Sequence, residues 1–512
     1  MFAASLLAMG AATVGALVAG GGNPVLALLP VALIALLWGM AMAPLRWSAS
    51  ILVLLVLSLE VSSDASGLWH TPLAVLGDIL HDNLERSAKI PGMVLSGLDG
   101  LALYLLGVSI YRRAKGSTLD MKGFVPAPTV IIAFLLLFVG GVLYADALGI
   151  ARGGSVAFWK LRHLLQIPLL FLVFQASFRG PSDYSLVGRL VILAASLKAL
   201  LAIYVQHVVA PELTGGEMLY ATNHGDSILF CLAAFILVAN VAEREDRRSA
   251  LNAAIFLPLI LVGLGENARR TAWVMLAMAL VAAYAVGRPR PWKRALTRVA
   301  LVAIPLLLLY VAIGWDHSSS VFAPVRILRS LADSQIDSST RWRDVENWNI
   351  AMSIREHPLL GLGLGHDYTE FVRGDDISAI FADFKGWPHN SVLGLLLFAG
   401  PIGFTAIWSL FGCVVFLALR SYRMARSPDD RTTAMTCVAT VIVSSVFAFG
   451  DTGAYHVQYR VLIALALAVS GKLAVVTGAW PAARSRRHGP ARRSEQRRVN
   501  PAVAGQGQSP VT

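Results

Sequence analysis

Charge is what this 512-residue chain has least of: only 14% of its residues are Asp, Glu, Lys or Arg, against roughly a quarter in ordinary soluble domains. The three cysteines, Cys231, Cys413 and Cys437, lie inside apolar runs with no paired spacing, which excludes a disulfide scaffold and a cysteine-based metal site. The first twenty residues lack a basic n-region, so they read as a retained span and not as a secretory signal. What is present is apolar: 56% of the chain is hydrophobic, in runs of about 18 or more residues that recur from Phe2 to Val476. A soluble enzyme and a disordered chain are thereby excluded. The predicted class is an all-α integral membrane protein.

Fourteen candidate spans fall near residues 2–20, 24–42, 48–62, 94–111, 128–146, 162–178, 185–205, 223–241, 250–264, 270–286, 298–313, 391–419, 433–449 and 461–477. The third is the weakest and the 391–419 stretch is long enough to be broken at Gly400-Pro401, so a bundle of about 12–14 transmembrane helices is expected. Net charge is +12, from 43 Lys+Arg and 31 Asp+Glu. Seven arginines and one acid, Glu495, lie in the Pro-, Gly-, Gln- and Ser-rich tail after Trp480, so half of the excess belongs to a tail read as disordered. Such a run beyond a last span suits anionic lipid headgroups on the cytoplasmic side better than nucleic acid.

Loop charge sets the orientation. The loops Arg112–Lys122, Arg288–Arg298 and Arg420–Arg431 hold four, five and four bases and read as cytoplasmic; Gln206–Asp226, with three acids and no base, reads as external. The alternation runs through all fourteen spans and leaves both termini inside. One external loop departs from it, since Arg152, Lys160 and Arg162 outnumber Asp146; snorkelling is the simple account, an anionic ligand the other. The largest hydrophilic stretch, Gly314–Asn390, has 77 residues and is external, with eleven acids against seven bases. Within it Ser338-Ser339-Thr340 can cap a helix whose apolar positions Trp342, Val345, Trp348, Ile350, Met352 and Ile354 run up to Pro358, a segment suited to the membrane interface or to roofing a cavity.

Three external elements carry candidate chemistry. Arg269-Arg270-Thr271-Ala272 opens a span on the side where bases are rare; Arg341-Trp342-Arg343 leads into the helix and on to the Pro358–Gly365 turn; Trp387-Pro388-His389-Asn390 precedes another span. Taken singly, each has a plain reading: snorkelling or a pair with Glu266, a surface helix with a glycine turn, and an N-capping Asn390 beside an exposed histidine. In this order on one membrane face they resemble the O-antigen ligase and O-antigen polymerase superfamily of bacterial membrane glycosyltransferases. The resemblance covers roughly residues 255–416, between N-terminal spans (1–254) and C-terminal spans (417–479) with the tail 480–512.

That resemblance implies a GT-C-like polytopic enzyme of the bacterial inner membrane, with the 314–390 loop periplasmic. It implies transfer of a glycan from undecaprenyl pyrophosphate to a glycan or lipid A core acceptor, with no metal or other cofactor. Arg270 and Arg341 or Arg343 would hold the pyrophosphate, with Arg269 able to stand in for Arg270, because guanidinium binds phosphate oxygens bidentately. His389 would take the acceptor proton, since imidazole changes charge near neutral pH, and direct attack would invert the anomeric carbon. Asn390, Asn223 and His224 are further substrate-binding candidates, with capping the alternative for Asn223. His366, Asp367 and His456 lack metal-ligand partners in the sequence, and Asp344-Val345-Glu346 reads as a solvated helix face. The competing class is a transporter or flippase for lipid-linked sugars, which would show paired repeats or mid-span ionisable groups.

Overall fold

The computed structural model describes residues 24–481, with 10–11 and 13–15 ahead of them, apart from 61–70, 72, 88–92, 118–121, 155–157, 217, 219, 318, 323–324, 326–328, 330–337 and 375–387. Most of the expected first span, Trp387 and the basic tail from 482 onward therefore lie outside the described residues. The described chain is helical throughout, and a helix stands at each of the other thirteen expected spans. These are α1 Pro24–Met42, α2 Leu45–Ser58, α3 Gly97–Ala114, α4 Thr129–Ala151, α5 Phe158–Ser177, α6 Pro181–Tyr204, α7 Asp226–Arg244, α8 Arg247–Glu266, α9 Arg270–Val286, α10 Pro291–Gly314, then, beyond the loop helix α11 Ser338–Glu356, α12 Ser391–Met424, α13 Pro428–Gly450 and α14 Val457–Val476. Among the described residues, eight helices are long and apolar enough to cross a membrane, including α4, α7, α8, α13, α14 and a continuation of α6 to Thr214 through a π-helical turn at Val205–Val209. Three shorter apolar helices, Pro30–Met42, α2 and α9, accompany them. The polytopic all-α class expected from composition is what the described chain adopts, because a helix satisfies its backbone groups within one apolar run and so needs no pairing with another segment inside a lipid layer.

Helix starts follow the capping chemistry in the sequence. Ser96 and Asp99 form a capping box on α3, Asp246 caps α8, Asn390 caps α12 and Ser427 caps α13. At the centre, α14 is buried at every residue from Val457 to Ala474, whereas the apolar window of α10 has no buried residue and is left facing outward. α4 approaches α12 closely: a Cβ at Gly141 would lie 3.0 Å from the Gly403 carbonyl oxygen, a contact that small residues permit between spans.

Side-chain contacts sort the loops into the two ends that charge counting separates. Arg46 pairs with Asp183 at 3.6 Å, Glu243 with Arg290 and Arg431 at 3.0 and 2.7 Å, and Arg112 donates to the Ala43 carbonyl at 2.8 Å, all at one end. His224–Asp451, Arg162–Asp99, His207–Glu266 and His389–Glu346 join loops at the other. A buried ion pair near this second end, Lys198–Asp226 at 3.2 Å, with Gln458 donating to the other Asp226 oxygen at 3.0 Å, has no counterpart in the sequence reading.

Candidate active site

The site begins with a break in a helix. Pro401 has no N–H to give to the Leu397 carbonyl, and Gly400 adopts φ 60°, ψ 178°, so α12 opens there, as its Gly-Pro pair leads one to expect. The freed carbonyls of Leu397 and Phe398 accept from the N–H groups of Leu362 and Gly363 at 2.7 and 2.9 Å, while Leu364 N–H donates to Ala145 of α4 at 2.9 Å. The glycine turn is thus clamped, backbone on backbone, between α4 and the broken α12. Gly361 and Gly363 have φ 82° and 93°, and a Cβ on either would come within 2.4 Å of a backbone nitrogen, of Gly400 or Gly149. Arg152 donates to the Gly361 carbonyl and, at 3.4 Å, to that of Leu362. Arg162, buried and 3.6 Å from Asp99, and Arg152 are thus both engaged by protein groups.

The anchored turn fixes α11 against the start of α12. The face that α11 turns inward corrects the sequence reading. Trp348 is 54% exposed, whereas Glu346, Asn349 and Ser353 are buried. Asn349 accepts from Val372 N–H at 2.9 Å and donates to its carbonyl at 2.7 Å, and Ser353 accepts from Thr369 N–H at 3.0 Å. An irregular loop leaves backbone groups without a ladder, and the polar side of this helix serves them. Glu346 is therefore no solvated helix face. Both its oxygens accept from His389 N–H at 3.2 Å, and Oε1 lies 3.2 Å from His389 Nδ1. The edge of the His389 ring meets Trp342 at 4.5 Å and 90°. Burial, then the carboxylates of Glu346, Glu370 and Asp367, push the pKa of the Tyr368 hydroxyl beside this pair upward. His389 is thus held through Nδ1, its side chain 21% exposed. Asn390 caps α12 by accepting from Leu393 N–H at 3.1 Å, and its buried Nδ2 makes no hydrogen bond among the described residues.

A second histidine–carboxylate pair lies next to the first. His224 Nδ1 is 2.5 Å from Asp451, whose backbone carbonyl accepts from Ser391 Oγ at 3.2 Å, one residue beyond Asn390. Burial pulls His224 down to about 4, against the opposing pull of Asp451 and with help from Arg269 and His456. Burial alone would raise Asp451, but His224 and His456 hold it well below the usual carboxylate range. Arg269 Cζ sits 3.1 Å from the centre of the Tyr220 ring, itself 5.7 Å from His224. Arg270 begins α9, where Thr271 lies against Gly450 next to Asp451. Asn223 accepts from Gly225 N–H at 2.8 Å, a turn-forming role. Arg269, Arg270, Asn223, His224, His389 and Asn390 are gathered at one end of the bundle. The arginines of α11 diverge: Arg343, three residues before Glu346, is half-buried, and Arg341 is exposed on the far side. His366 Nε2 lies 3.2 Å from the Gly149 carbonyl, and among the described residues no three His, Cys, Asp or Glu side chains are grouped to hold a metal ion.

The arginine-opened span and the His-Asn start of α12 thus meet around Asp451, and the glycine turn is bound into the break farther along α12. Residues 253–407 match the O-antigen ligase family. A stretch of 205 residues is also 26% identical to the O-antigen ligase of Salmonella typhimurium, covering 38% of this chain and 46% of that protein, so the chain spans less than half of that relative's length. The resemblance drawn from the motifs is borne out. The ligase-matched segment holds Arg269, Arg270, Arg341, Arg343, Glu346, His389 and Asn390, while His224 and Asp451 reach the site from outside it. Asp451 and Tyr220 were not singled out in the sequence, where Glu346 reads as part of a solvated helix face. The available signal for Glu346 was its spacing: four residues after Trp342 and three before Asn349, on one helix face.

Proposed function

We propose that this chain is a membrane glycosyltransferase of the ligase type. It moves a glycan from undecaprenyl pyrophosphate to an acceptor hydroxyl, on lipid A core or another glycan, at the periplasmic face of a bacterial inner membrane. The observation that carries this reading is the His389–Glu346 pair beside Trp342, at the same end of the bundle as Arg269 and Arg270. With Nδ1–H donated to Glu346, Nε2 of His389 is left as the proton acceptor. The acceptor O–H proton passes to Nε2 as the oxygen bonds to the anomeric carbon. The carbon–oxygen bond to pyrophosphate breaks with its electron pair going to the phosphate, and the anomeric configuration inverts. Arg270 and Arg343, with Arg269, meet the charge that develops on the leaving group, since guanidinium stays charged and binds phosphate oxygens in pairs. Arg343 is favoured over Arg341 because it lies toward the Glu346 side of α11. Neutral His224, Asn223 and the Asn390 amide offer hydrogen bonds to sugar or pyrophosphate.

The buried Lys198–Asp226 pair is the feature that would suit a transporter of lipid-linked sugars. One assay separates the two readings. Purified chain with a polyprenyl-pyrophosphate glycan and lipid A core, in excess EDTA, should form the ligated product and release polyprenyl pyrophosphate. His389→Ala should slow product formation by about 100-fold to 10,000-fold, to a measurable residual rate, while leaving the melting temperature near that of the wild type. Movement of the donor across vesicles without product would establish the transporter, and full activity of His389→Ala would remove the proposed base.

A further inference from the structure

At the end of the bundle away from His389, a cavity of about 300 Å³ opens between α6, α7, α8, α13 and α14. Its depth is apolar, with Val191, Ile192, Ile236, Leu465 and Val469 on its walls, and its rim carries Arg189, Arg244, Arg248, Asn240, Asn252 and Asp429. Arg244 pairs with Asp429 at 2.9 Å, which cancels those two charges. The Arg189 guanidinium bonds to Ser185 of its own helix, and Arg248 bonds the Asp246 carboxylate through its backbone N–H; among the described residues neither guanidinium forms an ion pair, so both face the rim as charged groups. Tyr184 and Thr432 line the cavity as well. Each is less than a tenth exposed, and their hydroxyls are buried without a hydrogen-bond partner among the described residues. Hydroxyls without partners beneath a basic rim mark a space shaped for a polar occupant, since buried polar groups are ordinarily paired. The apolar walls below call for a hydrocarbon chain.

We propose that this cavity binds an anionic phospholipid of the leaflet at that end, its phosphate between Arg189 and Arg248 and one acyl chain against Ile192 and Ile236. A free phosphate shares the chemistry of the rim but leaves the apolar depth empty, and basic recesses between spans are suited to lipid headgroups. None of these residues belongs to the site around His389, so glycan transfer is not the readout.

The test is native mass spectrometry and thermal melting of the full chain in detergent, with added phosphatidylglycerol, phosphatidylcholine or inorganic phosphate. Phosphatidylglycerol should be retained at least about 10-fold more tightly than phosphatidylcholine and should raise the melting temperature. The Arg189→Gln/Arg248→Gln double variant should weaken phosphatidylglycerol binding by about 10-fold or more. Gly188→Leu should weaken it without any change of charge, because a Cβ there points at Ile236 Cγ2 from 3.8 Å and the longer side chain enters the slot. Equal retention of the two lipids, or retention unchanged in both variants, would overturn the proposal. Stabilisation by inorganic phosphate equal to that by phosphatidylglycerol would overturn it too, identifying a free anion as the ligand.

Discussion

Replacing Glu346 with glutamine exchanges one carboxylate oxygen for an amide nitrogen and removes one buried charge. In the native protein the carboxylate accepts from His389 N–H at 3.2 Å and faces Nδ1 at 3.2 Å, with 4% of the residue exposed. The glutamine carbonyl can keep the backbone contact. It can also place its NH₂ against Nδ1, which favours the tautomer with the proton on Nε2 and takes away the acceptor of the hydroxyl proton. A hydrogen bond to a charged group contributes about 1.5–3 kcal/mol. At about 1.4 kcal/mol per tenfold, its loss from the transition state alone slows transfer roughly 10-fold to 150-fold. The tautomer change works in the same direction. Glu346→Ala should instead cost stability, because a buried N–H left without an acceptor costs about 1–3 kcal/mol.

The rate of ligated-product formation should therefore fall for Glu346→Gln while its melting temperature stays within a few degrees of wild type. A double-mutant cycle decides whether the carboxylate acts through the imidazole. In a His389→Ala background, Glu346→Gln should cost no further activity. Independent, additive losses, or a Glu346→Gln protein with the full wild-type rate, would refute the assignment of Glu346 as the group that positions His389.

Lysine substitutions at the four arginines, scored in the same assay, should cost about 10-fold to 1000-fold at Arg270 and Arg343, where the proposed pyrophosphate contact is bidentate, and little at exposed Arg341; four near-silent variants would mean that the arginines only anchor the interface. Arg269→Lys should also perturb His224, whose titration responds to that guanidinium. Gly363→Ala adds a Cβ 2.4 Å from Gly149 N at φ 93° and should lower stability by about 2–5 kcal/mol in a chemical-denaturation or thermal series. With His224 lowered from 6.5 to about 4, the neutral ring is the native form, so its contribution is whole above pH 6.5 and is lost as pH falls toward 4; His224→Asn, which can keep a bond to Asp451 without titrating, should lose that part of the acid slope in melting temperature.

The spans were legible because lipid imposes one solution on a long apolar run, and the bounds read for Arg270–Val286 coincide with the helix observed. The grouping of the loops at two ends was legible for a related reason: among the described residues, Arg46, Asp183, Glu243, Arg290 and Arg431 pair at one end and His224, Asp451, His389 and Glu346 at the other. The inner face of α11 was not. Apolar periodicity pointed to Trp348 and Ile350; Ile350 is buried, yet the Trp348 ring is exposed, and the other buried positions belong to Glu346, Asn349 and Ser353. Periodicity assumes that a helix buries its apolar side. Here the loop around the helix has backbone groups to satisfy, and three polar side chains meet that need.

The same reasoning accounts for Asp451. It follows α13 in a short turn and resembles a solvated loop acid in the sequence, where nothing places it near a histidine 227 residues away. In the fold its carboxylate holds His224 and its backbone carbonyl takes Ser391, so one residue ties the start of α7 to the start of α12. His389 and Asn390 directly precede that start, and Arg270 and Thr271 flank the same turn through Gly450. A short motif can therefore point to candidate residues. The carboxylates that orient them come from remote segments and depend on packing, which is why Glu346 and Asp451 became visible only once the helices were assembled.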